Sequence, residues 1–145
     1  MIPNTETISV NGSTVTLQRM HQDIGCGSLL IGEGVKIGFG VVIDLTADVI
    51  LSGFVEIQDG VRIWTHRHHW RHSRGPRREI QKISASKLVI GEDVFIGTGA
   101  MLIGVEVIGD GAIIGAGAVV RIKAIAPYEV WEGNPAVFHG FRKAL

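Results

Sequence analysis

One segment of the sequence concentrates the side chains that do chemistry at neutral pH. From Trp64 to Arg78 the chain reads Trp64-Thr65-His66-Arg67-His68-His69-Trp70-Arg71-His72-Ser73-Arg74-Gly75-Pro76-Arg77-Arg78, which places four histidines and five arginines within fifteen residues. Neutral imidazole takes up a proton readily near pH 7, so a histidine held firmly here is a candidate general base. Four clustered histidines also qualify as metal ligands. The arginines suit an anionic partner, although a run of charge is most often a solvated face. Trp64 and Trp70 offer flat apolar surfaces, either for stacking on sugar rings or for anchoring the segment to a neighbouring surface.

A base needs a rigid support, and the flanking sequence supplies a regular frame. Ile90, Ile96, Leu102, Ile108, Ile114 and Val120 recur at six-residue spacing, usually followed by glycine. Four residues after the first five stand Val94, Ala100, Glu106, Ala112 and Ala118, with Glu106 the one exception to a small or branched type. An earlier block repeats the pattern with Ile31, Ile37 and Ile43, then resumes at Leu51, Ile57 and Ile63 after a two-residue offset that reads as a bulged corner. A period of six fits neither the helical stripe nor continuous strand alternation, and each glycine weakens a helix by roughly 1 kcal/mol relative to alanine. A short strand and a turn per hexad build a flat-sided prism, with the aliphatic inward and glycine or alanine permitting tight corners. Three faces make a coil of roughly eighteen residues, and the hexads supply about four coils. Sides and ends left open by so short a stack favour burial against copies of the same chain. The hexads stop between Ile63 and Leu88, so the histidine segment is an insertion; a long loop without structure of its own in a compact domain is usually functional or disordered.

Composition narrows the setting. At 145 residues one domain is expected. Fourteen Lys and Arg balance fourteen Asp and Glu, which gives no overall pull toward nucleic acid or an anionic membrane. Cys26 is the only cysteine, which excludes an intrachain disulfide framework and a multi-cysteine zinc site, and it reads as a small buried hydrophobe. No apolar run approaches the ~20 residues that span a bilayer, and the first residues lack the pattern of a secretory signal. The expectation is a cytoplasmic protein.

Ile90-Gly91-Glu92-Asp93-Val94-Phe95-Ile96-Gly97-Thr98-Gly99-Ala100 closely resembles the [LIV]-[GAED]-x-x-[STAV]-x repeat of the hexapeptide-repeat acyltransferases. Ile114-Gly115-Ala116-Gly117-Ala118-Val119-Val120, followed by Ala126-Pro127-Tyr128 and Gly133-Asn134-Pro135-Ala136, looks like the closing coil and signature of their sugar and polysaccharide O-acetyltransferase branch. The resemblance covers roughly residues 31 to 140. It implies an all-β, left-handed parallel β-helix, against the usual right-handed rule for parallel crossovers. It also implies a homotrimer with acetyl-coenzyme A as donor, no metal, and a small-molecule or saccharide acceptor that takes the acetyl group on a hydroxyl or an amine. Within a single domain over residues 1–145, residues 1–30 are expected as an N-terminal cap, 64–87 as the inserted active-site loop and 126–145 as a C-terminal tail. His66 matches the family's first loop histidine and is the expected catalytic base. Trp64, His68, His69 and Arg74 are the expected acceptor-binding residues. Arg67 departs from the family, which often has Asp or Asn between two loop histidines. By motif position Thr98 and Ala116 correspond to contacts with the pantetheine arm, while Arg121 and Lys123 stand where the nucleotide phosphates are met, in place of the usual Thr-Lys-Asp.

Two other functions fit the same prism. The γ-class carbonic anhydrases share it and hold zinc through three histidines at a subunit interface; against that reading, Ile90 to Val120 contain no histidine. A non-catalytic trimeric carbohydrate-binding scaffold is the third reading.

Overall fold

A computed structural model describes residues 4–69 and 82–144. Each hexad becomes a strand of two or three residues and a corner, because only the inward aliphatic and its neighbours have room to pair before the chain must turn. The first coil is β3 (Leu29–Ile31), β4 (Lys36–Ile37) and β5 (Val42–Asp44); the second is β6 (Val49–Leu51), β7 (Glu56–Ile57) and β8 (Arg62–Trp64). After the insertion, β11 (Leu88–Ile90), β12 (Phe95–Ile96) and β13 (Met101–Ile103) form the third coil, and β14 (Val107–Ile108), β15 (Ile113–Ile114) and β16 (Val119–Val120) the fourth. β17 (Ala124–Ile125) and β18 (Glu129–Gly133) begin a fifth. Corresponding strands stack in parallel into three faces: β3, β6, β11, β14 and β17 form the first, β4, β7, β12, β15 and β18 the second, and β5, β8, β13 and β16 the third. The helix is left-handed.

Stacking in register sets like on like. Ile31 pairs with Leu51, which pairs with Ile90, which pairs with Ile108. The resulting columns of aliphatic side chains fill the prism, and Ile43, Ile57, Ile63, Ile90, Ile96, Leu102 and Ile114 are buried. Complete burial of each such side chain stabilises the fold by roughly 1.5–3 kcal/mol. The corner between the second and third faces requires glycine: Gly40, Gly60, Gly99 and Gly117 all have φ between 68° and 71°. At the exceptional Glu106, the buried position is taken one residue earlier by Val105.

Two expectations need correction here. Ile31 is 39% exposed, because it belongs to the first coil and, among the described residues, no strand of the first face lies beyond β3 to cover it. Cys26 is exposed in the turn region between β2 and β3 rather than packed as a small hydrophobe.

Both ends of the stack carry antiparallel pairs. β1 (Thr5–Val10) and β2 (Ser13–Gln18) form a hairpin whose second strand runs parallel to β5 and extends the third face. Its Val15 and Leu17 close over the core. At the other end β18 folds back on β19 (Ala136–Phe141), and Asn134 and Pro135 form the turn between them.

The two-residue offset lies between β5 and β6, at the corner joining the third face to the first. The longer corner turns Leu45 into the core and buries the polar Asp44 and Thr46 beside it. In the next coil the same corner carries the insertion, so the bulge of one coil underlies the root of the histidine segment in the next.

Candidate functional site

The root of the insertion is ordered structure, which corrects the expectation of a loop without elements of its own. β9 (His66–His68) pairs antiparallel with β10 (Ile83–Ala85), with His66 opposite Ala85 and His68 opposite Ile83. The ribbon is a separate two-stranded sheet that leaves the corner after β8, and its pairing extends at both ends: Ser86 N–H donates to the Thr65 carbonyl at 3.0 Å, and His69 N–H to that of Lys82 at 2.9 Å. Period-two alternation then sorts the side chains. His66 and His68 share one face, whereas Arg67 and His69 take the other.

His66 is 6% exposed. Its Nδ1 lies 2.7 Å from Oδ2 of Asp44, a residue that no motif singled out. Asp44 is itself enclosed by donors. Oδ1 accepts from the Thr46 hydroxyl at 2.8 Å, the Thr46 amide at 3.1 Å and the Met20 amide at 3.3 Å. Oδ2 accepts from the Thr65 amide at 3.1 Å as well as from His66. Burial by itself would raise the Asp44 pKa, but the hydrogen bonds from His66, Thr46 and Met20 and the nearby imidazole outweigh it and hold the pKa down to about 2. An ionised carboxylate only accepts, so Nδ1 of His66 carries the proton and the Nε2 lone pair is left for chemistry. The pair fixes both the tautomer and the orientation of the ring. The Trp64 ring stacks on His66 at 6.4 Å with an interplanar angle of 25°.

A third histidine joins from outside the insertion. The His21 ring lies 4.5 Å from His66 and 5.5 Å from His68, while His66 and His68 are 5.1 Å apart, all edge to face. One nitrogen from each can be chosen so that all three lie within 4.8 Å of one another. His21 gave no signal in the sequence, since it arrives only because the N-terminal hairpin adds to the third face. Asp44 did leave a trace: an acidic residue directly after an inward aliphatic, at the offset in the hexads.

The opposite face of the ribbon has a different character. Arg67 Nη2 donates to the Arg121 carbonyl at 2.8 Å and reaches the Gly104 and Ile103 carbonyls at 3.2 and 3.3 Å. The residue that departs from the family pattern therefore fastens the ribbon to the third and fourth coils and points away from His66. Beside it opens a cavity of about 250 Å³ lined by Arg67, His69, Ser84, Glu106 and Lys123. His69 Nε2 meets the Ser84 hydroxyl at 2.7 Å. His69 thus lies across the ribbon from His66, while Trp64 and His68 lie with it. Arg74 falls outside the described residues.

The four expected donor contacts are split between two edges of the prism. Thr98 and Ala116 are exposed at the corner from the second to the third face, stacked one coil apart, with the Gly117 amide donating to the Thr98 carbonyl at 2.8 Å. Arg121 and Lys123 are exposed at the corner from the third face to the first, the edge that bears His66.

Comparison with known proteins agrees with the repeat and the fold. Residues 87–121 match the family described as bacterial transferase hexapeptide (six repeats). A chloramphenicol acetyltransferase of Agrobacterium fabrum is 44% identical over 54 residues, which are 37% of this chain and 25% of that protein. A hexapeptide-repeat acetyltransferase of Vibrio cholerae O1 biovar eltor, solved with acetyl-coenzyme A, superposes with a TM-score of 0.70 at 25% identity, covering 80% of this chain and 61% of that one. A maltose O-acetyltransferase of Clostridium difficile 630 gives a TM-score of 0.66 at 27% identity, covering 80% and 60%. The chain spans about a quarter to a third of the length of the curated relatives it matches.

Proposed function

We propose that this chain, a left-handed β-helix with hexapeptide repeats matched over residues 87–121, works as an acetyltransferase, moving the acetyl group of acetyl-coenzyme A to a hydroxyl or amine of a saccharide or other small molecule. The observation that carries this reading is the buried Asp44–His66 pair, which presents one imidazole nitrogen from a rigid corner. The Nε2 lone pair takes the proton of the acceptor hydroxyl as its oxygen attacks the thioester carbonyl. Backbone amides stabilise the oxyanion, and the tetrahedral intermediate collapses with departure of the coenzyme A thiolate. Transfer is direct within a ternary complex; no side chain serves as covalent nucleophile. Trp64 and His68 border the acceptor on the His66 side of the ribbon.

The working unit in this reading is a homotrimer. A single prism holds Thr98 and Ala116 on one edge and His66 on another, so a donor lying along the first edge meets the base of a neighbouring prism. The exposed Arg121 and Lys123 flank the His66 edge and suit the nucleotide phosphates. The split of donor contacts between two edges supports an active site shared by two subunits.

Isothermal titration with acetyl-coenzyme A tests the donor: saturable binding at one site per chain is expected, and no heat of binding removes the assignment. His66→Ala protein keeps the same assembly and loses acetyl transfer by ~10²-fold or more, the scale of a lost general base. An unchanged rate excludes His66 from the mechanism.

A further inference from the structure

The face of the ribbon that presents His66 has a second chemical capability, independent of acyl transfer. We propose that His21, His66 and His68 form a binding site for a divalent transition ion of the zinc class, and that its occupation withdraws His66 from proton transfer. The three ligand nitrogens already lie within 4.8 Å of one another. A tetrahedral zinc with nitrogens at about 2.0–2.1 Å needs them roughly 3.3 Å apart, which small rotations of the less buried His21 and His68 rings supply. His66, the buried member, is already oriented by the Asp44 carboxylate at 2.7 Å on its Nδ1, the arrangement in which an outer carboxylate fixes a metal-ligating imidazole through its other nitrogen.

The backbone around the other ligands is also anchored. The His21 carbonyl accepts from the Ile24 and Gly25 amides at 2.9 and 3.1 Å, and the adjacent Met20 amide donates to Asp44 Oδ1 at 3.3 Å. His68 lies in the paired ribbon opposite Ile83. Three neutral imidazoles without a carboxylate in the inner set select zinc, nickel or copper over magnesium or calcium. The fourth position stays open to water, so the ion exchanges. The same Nε2 lone pair of His66 ligates the ion or accepts a proton, and the two uses exclude each other. The metal site stands without the acyltransferase reading; only the inhibitory consequence rests on it.

The test uses the full chain stripped with a chelator and then titrated with cobalt(II), read by the visible bands of a four-coordinate cobalt centre, and with zinc(II) by calorimetry. One equivalent per chain is expected. His21→Ala and His68→Ala each leave the Asp44–His66 pair in place, and both are expected to weaken binding by about 100-fold or more, with circular dichroism confirming that they fold. No saturable binding by the wild type, or undiminished binding in both folded variants, overturns the site. In the transfer assay, saturating zinc silences the wild type while His21→Ala retains its rate; wild-type transfer unaffected by bound zinc overturns the inhibitory half alone.

Discussion

Asp44 is the residue on which the proposed chemistry turns, because it holds Nδ1 of His66. Held at a pKa of about 2 against an ordinary 3.8, it contributes stability on the order of 2 kcal/mol to the metal-free protein. The sign follows from the lowered value. The folded state prefers the carboxylate, so the contribution is complete above pH 3.8 and drains away as pH falls toward 2. Acid unfolding followed by circular dichroism will show that loss in the wild type and a flatter profile in Asp44→Asn. The same substitution places an amide where a carboxylate held Nδ1–H, so the imidazole is free to adopt the tautomer that blocks Nε2. Acetyl transfer by Asp44→Asn is expected to fall about 10- to 100-fold, chiefly in kcat. A drop confined to KM will instead assign Asp44 to acceptor binding.

At the scale of elements, the two-stranded ribbon positions His66 and His68, and Arg67 positions the ribbon. Gly104 makes this possible: its φ is +63°, and a Cβ there would lie 2.5 Å from Arg67 Nε. Gly104→Ala therefore combines left-handed strain with displacement of the guanidinium, at a cost of about 1–3 kcal/mol. Faster amide hydrogen exchange is expected in Arg67–His68 and Ile83–Ala85, with the coil strands unaffected. Arg67→Ala removes the latch without the backbone strain and is expected to loosen the same amides. Unchanged exchange in both variants shows that the β9–β10 pairing holds by itself. The Gly/Val succession at Gly104-Val105 also accounts for the misfit of Glu106, because the left-handed glycine brings the next residue inward one position early.

For the whole molecule, the decisive relation is between edges of the prism. Thr98 and Ala116 lie on a different corner from His66, so in the proposed trimer each protomer would supply half of the proposed site at each of two edges. Hybrid assemblies test this arrangement. His66→Ala lacks the base and Ala116→Trp fills the proposed donor groove, and each alone is expected to be inactive. Unfolding and refolding them as a mixture is expected to recover a measurable fraction of wild-type transfer, because some interfaces then join an intact His66 edge to an intact Ala116 edge. No recovery from properly reassembled mixtures places the whole site within one chain.

The six-residue period determined the three-sided parallel helix without help from tertiary contacts, since only a strand and a corner per hexad can bury Ile90, Ile96, Leu102, Ile108, Ile114 and Val120 together. It located the insertion by where the hexads stop, and the first histidine after the frame proved to be the buried one. The sequence could not show what surrounds that histidine. Asp44 is 22 residues away and becomes its partner because one coil stacks on the next. His21 comes from an N-terminal hairpin with no hexads, and it reaches the site only because β2 extends the third face. His68 and His69 are equivalent in a list of residues and separate only when strand pairing sends them to opposite faces. Local spacing sets which side chains point inward, whereas stacking and pairing between distant segments decide which polar groups meet.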